Sequence, residues 1–152
     1  MVDKNKQALK LACSVVAFFA VLPLLLSSLN HFSNPYLFLQ NILEYEILSF
    51  SFATVASAVL PGIQIVLAIA CLVEARSVLP LVATSILYFV FAEVQASALA
   101  RDLPISCGCF GAESGQVSVL TVLEVFALGL VCATIAVVRS RVIHHFEESE
   151  KL

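Results

Sequence analysis

Two cysteines separated by one glycine, Cys107-Gly108-Cys109, stand in DLPISCGCFGAESG (residues 102–115), a polar interval in an otherwise apolar chain. A C-x-C pair is open to three chemistries: metal ligation, a structural crosslink, or a reversible dithiol–disulfide couple. Structural zinc takes about four N/S ligands. The loops that the topology below places on the same side add only His31, so no metal is expected. A crosslink between residues two apart constrains little chain entropy, because that stabilisation grows with loop length. The redox reading fits better. Joining i to i+2 brings the Cα atoms within about 4.4–6.8 Å and bends the backbone. Gly108 and Gly111 supply conformations closed to other residues. Strained, exposed disulfides are the readily reduced ones. One thiol then attacks and the other resolves.

Glu93 and Glu124 are the second chemical signal, each set inside a long apolar run. Ionisable groups within a membrane span are functional candidates by default. The two are equidistant from the Gly108–Cys109 bond, which predicts similar depth in a hairpin, roughly 10 Å below the surface at 1.5 Å per residue. They could handle protons for the thiols, burial raising a carboxyl pKa, or stay neutral and bond a neighbouring helix through Gln95 or Thr121. His31, at the end of the first run, is a candidate to acidify a thiol or a plain interfacial polar residue. Cys13, Cys71 and Cys132 share a depth in the inner halves of the first, second and fourth spans. A second thiol site there competes with the ordinary use of cysteine as a small packing residue.

The elements that carry these residues follow from composition. The chain has 152 residues, 61% hydrophobic and only 12% charged. That is far more apolar than soluble domains, which average about half apolar and a quarter charged. Apolar runs at about 9–29, 47–73, 78–100 and 117–138 each reach the roughly 20 residues that span a bilayer as a helix. An all-α, four-helix membrane bundle in a single domain is predicted, with the lipid bilayer as its first partner. A retained first helix is expected rather than a cleaved signal peptide, since the run is long and no A-x-A site follows. Pro61-Gly62 should kink the second span. Lys4, Lys6, Lys10, Arg76, Arg139, Arg141 and Lys151 fall on one side of the topology and Arg101 alone on the other. The positive-inside rule then puts both termini in the cytoplasm. Loops 30–46 and 101–116 face out, into a compartment where disulfides persist. In the first of them, Asn34-Pro35 and the aromatic PYLFLQNIL predict a short interfacial helix beside the C-G-C hairpin. Scattered basic residues disfavour nucleic-acid binding.

The segment RDLPISCGCFG closely resembles the R-G-x-x-I-D-C-G-C-F-G signature of the methylamine utilisation protein MauE family and its DoxX-like relatives. NPYLFLQNILEYEIL is similar to that family's N/D-P-x-x-F…I-x-x-Y-x-L-L segment, and AVLPGIQIVLAIACLV to its L-P-x-x-E…G-x-x-L-L stretch. The resemblance covers roughly residues 30 to 115. It implies a four-helix inner-membrane protein that supports maturation of a periplasmic disulfide-rich client, a methylamine dehydrogenase subunit or similar, with a thioredoxin-like partner. Two positions depart from the pattern: Ser106 replaces the family's Asp beside the first thiol, and Gln64 replaces its Glu in the second span. Ser106 can only exchange hydrogen bonds with the thiol. Two functions stay open, a thiol–disulfide oxidoreductase component and a non-catalytic membrane assembly or anchor subunit. No second loop-borne cysteine pair exists on the outer side, so any relay passes directly from Cys107/Cys109 to a partner. No cofactor is fixed; a quinone is a candidate, although no quinone pocket can be read from the sequence.

Overall fold

A computed structural model describes residues 2–73, 77–105 and 116–150, with side chains for 12–73, 77–105 and 116–141. Ser106, Cys107, Gly108, Cys109 and Gly111 lie outside the described residues. Five helices follow in chain order: α1 Val2–Ser33, α2 Pro35–Glu44, α3 Phe50–Val73, α4 Leu79–Ala100 and α5 Val119–Glu150. The all-α reading holds. Ala12–Ser33, Phe50–Val73, Leu79–Ala100 and Val119–Arg141 are each long and apolar enough to cross a membrane. Their outward faces match that medium: Phe52, Val66 and Leu123 are 69%, 66% and 56% exposed in the isolated chain. An apolar flank of this extent suits lipid and not water.

The helices overrun the apolar runs at one end. α1 starts at Val2 and α5 continues to Glu150, because DKNKQALK and RSRVIHHFEESE contain neither Gly nor Pro to halt a helix. At the other end, the stretch between the first two spans is itself helical. Pro35, lacking an N–H, cannot extend α1 but fits the first turn of a new helix. The resulting α2 is not a detached surface helix: it buries Phe38 and Asn41 against the bundle. Both internal prolines, Pro23 in α1 and Pro61 in α3, sit inside uninterrupted helices.

Packing pairs the spans unequally. α4 lies most extensively on α5 and α1 on α3, while the sequential neighbours α3 and α4 meet along a thinner seam. Gly129 explains the tight α4–α5 approach. A Cβ added there would stand 3.0 Å from Phe89 Cε1 and 3.3 Å from Tyr88 Cβ. Ser85 uses the same approach to donate a hydrogen bond of 2.9 Å to the Gly129 carbonyl. Such small-residue contacts replace the hydrophobic effect as the means of joining helices in lipid. Toward the chain termini, Ala17, Val21, Ala68, Cys71, Leu81, Ile135 and Ala136 form a closed core. Across it, the Tyr88 hydroxyl donates to the Ala20 carbonyl at 2.7 Å, and Cys71 Sγ lies 3.4 Å from Thr84 Oγ1. These bonds tie α4 to α1 and to α3.

Candidate functional site

The loop that carries the cysteine pair is framed by two well-defined helix ends. α4 stops in a Schellman turn: Asp102 N–H reaches the Leu99 carbonyl at 3.1 Å and Leu103 N–H the Ala98 carbonyl at 3.2 Å. Asp102 therefore takes the left-handed conformation usually left to glycine, φ 52°. Past it, the chain turns inward to bury Ile105, whose carbonyl accepts the Val117 N–H at 3.0 Å. That bond closes the neck of the loop. α5 then opens with a reciprocal capping box: Thr121 N–H donates to Ser118 Oγ at 3.3 Å, and Ser118 N–H to Thr121 Oγ1 at 2.9 Å. The signal S-x-x-T was present in the sequence as a variant of the usual S-x-x-E.

The neck is also bound to the other loop. The Arg101 guanidinium donates through Nη2 to the Tyr45 carbonyl, just beyond α2, and through Nε to Ser97 O at 3.3 Å. Immediately beneath this junction lies a cavity of ≈ 710 Å³ that takes residues from all five helices. It occupies the half of the bundle nearest the loops, between the α1–α3 and α4–α5 pairs. Tyr88 and Val131 form its floor on the side of the closed core, and Phe38, Asn41 and Tyr45 its roof.

Three residues singled out from the sequence meet here. His31, Gln64 and Glu124 all line the cavity, from α1, α3 and α5. His31 is buried, accepts or donates a 3.0 Å bond between Nε2 and Ser27 Oγ, and stacks on Phe38 with ring centroids 3.7 Å apart. Gln64 is 1% exposed, yet its Oε1 has no hydrogen-bond partner among the described residues. Glu124 is exposed at the rim. Glu93 stands elsewhere, in a shallow groove on the outer flank with Ile86, Phe89, Val90 and Val94. Neither carboxylate bonds Thr121, whose hydroxyl is committed to capping α5. Cys13, Cys71 and Cys132 are free thiols that do not line the cavity: Cys71, with Cys13 against it, lies in the closed core, and Cys132 in the cluster that adjoins the cavity floor. Gln95, expected from the sequence only as a partner for a glutamate, lines the cavity as well, and so do Asn41 and Tyr88, which were not singled out. Their signal was a polar face recurring along apolar helices: Ser27 and His31 four apart, Tyr88 and Gln95 seven apart.

This constellation of loop neck, short roofing helix and spans coincides with a family model. The model for methylamine utilisation protein MauE matches residues 9–139, most of the chain. The chain belongs to the MauE family. No curated protein and no solved structure matches it. The MauE match reaches well beyond the region of quoted resemblance, taking in α1 and α5 and hence every wall of the cavity. It links this multi-pass membrane protein to methylamine utilisation.

Proposed function

We propose that this MauE-family protein acts in thiol–disulfide exchange at the periplasmic face of the inner membrane, with both termini cytoplasmic. Cys107 and Cys109 are the working pair. Exchange with a thioredoxin-like partner moves two electrons and two protons: one cysteine pair gains the disulfide as the other is reduced to thiols. The eventual client is a disulfide-rich periplasmic protein, a methylamine dehydrogenase subunit or similar. One observation carries this reading: a C-G-C pair placed in the loop between the two most closely packed spans, its neck closed by the Ile105–Val117 bond. That bond joins the chain on the two sides of the pair, where α4 has ended and α5 is about to begin. Ser106 and the glycines Gly108 and Gly111 shape the pair, and Glu93 and Glu124 supply candidate proton acceptors on either side of α4 and α5.

A trapping experiment tests it. Replacing Cys109, and separately Cys107, with serine in the membrane-embedded protein should let one variant accumulate a mixed disulfide with a thioredoxin-fold protein. Alkylation should also show the wild-type pair changing redox state with the growth condition. If neither serine variant traps a partner and the pair never changes state, the anchor-subunit reading replaces this one.

A further inference from the structure

Gln64 carries a cost that nothing among the described residues offsets. A buried amide oxygen without a hydrogen bond forfeits its solvation, and such groups in native structures call for a specific partner. Its position at the wall of a ≈ 710 Å³ cavity supplies a place for one. The size falls in the range of pockets that enclose drug-sized ligands, which are mostly apolar with a few convergent polar groups. We propose that the cavity is a binding site for a neutral, membrane-soluble molecule with a flat hydrogen-bonding ring and an apolar tail, the chemistry of an isoprenoid quinone.

Three features select that class. Among the described residues no Lys or Arg lines the cavity, so a fatty-acid carboxylate or lipid phosphate would enter without a counter-charge, at high cost in a low-dielectric interior. The His31–Phe38 stack presents a planar aromatic ledge, against which a ring packs better than a flexible acyl chain. The Gln64 amide offers both an acceptor and donors, so it can meet a ring carbonyl or the hydroxyl formed when that carbonyl is reduced. Access is lateral. Leu48, Val90, Glu124 and Ala127 line the cavity and are exposed on the bundle flank, whereas His31, Gln64 and Tyr88 are buried at its inner end. The tail would leave through that rim into the lipid. This inference does not rest on the thiol reading, since it uses only the cavity and its lining.

The test uses the full-length protein in phosphatidylcholine nanodiscs, titrated with decylubiquinone against a photoreactive azidoquinone. One saturable site per chain is expected, with the label mapping to α3 or α4 between Leu60 and Gln95. Gln64→Leu should weaken binding about tenfold, the loss expected for one hydrogen bond, while leaving thermal stability equal or higher in the ligand-free protein. Leu128→Trp, which fills the cavity, should abolish binding, and Leu72→Ala on the far half should not change it. Unaltered affinity in both Gln64→Leu and Leu128→Trp would overturn the proposal. So would labelling confined to the terminal half, or equal displacement of the probe by dioleoylglycerol or phosphatidylethanolamine.

Discussion

The two halves of this bundle solve different problems with the same four spans. In the half nearest the termini, Leu81, Ala68 and Cys132 are wholly buried, and Thr84, Ser85 and Tyr88 each find a partner on a neighbouring helix. In the half nearest the loops, the same helices stand apart around a cavity of ≈ 710 Å³ that opens on the flank, and the Gln64 side-chain oxygen has no hydrogen-bond partner among the described residues. Interiors are ordinarily close-packed, so helices that stand apart in this way give up dispersion contacts with one another. The contrast teaches a division of labour. Cohesion comes from the terminal half, which lets the loop half keep a poorly packed chamber without losing the fold.

Truncations should expose that division most sharply. Leu81→Ala in the closed core is expected to destabilise by about 2–5 kcal/mol, the usual range for a large-to-small core change. Leu60→Ala, on a cavity wall that already lacks neighbours, should cost less than about 1 kcal/mol. Reversible unfolding in mixed micelles would measure both, and equal losses would erase the distinction between the halves. Gly129→Val comes next. Its added carbons meet the Phe89 ring and Tyr88 Cβ, and overpacking of this kind costs about 1–3 kcal/mol. Tyr88→Phe should follow at about 1 kcal/mol, the net value of one buried hydrogen bond, read from the same unfolding curves. The smallest effect is expected at the loop neck. Asp102→Gly relieves a left-handed residue and should change stability by no more than about 1 kcal/mol, in the favourable direction. A loss there would mean that the Asp102 side chain holds the turn by a contact of its own.

Long-range consequences of packing were the part hidden in the sequence. Four spans were legible because about 20 apolar residues in a row have few alternatives. The short α2 was legible from Pro35, since proline both ends one helix and suits the first turn of the next. His31, Gln64 and Glu124 were each visible as polar residues in apolar surroundings. What brings them together was not. Nothing in the local pattern says that α3 will favour α1 over its chain neighbour α4, and the cavity lies between the two pairs that this preference makes. Glu93 and Glu124 illustrate the same limit. Hairpin register sets their depth, but rotation about each helix axis sets their surroundings, and it separates one into a flank groove and the other onto the cavity rim.

The Arg101–Tyr45 bond joins the two loops at one point. Tyr45 is also part of the cavity roof, and Arg101 is the last turn before the neck of the cysteine loop. Linkage is then reciprocal: whatever steadies the roof biases the neck, and whatever grips the cysteine loop biases the roof by the same free energy. A docked protein on the outside and an occupant within the bundle would thus each sense the other without touching.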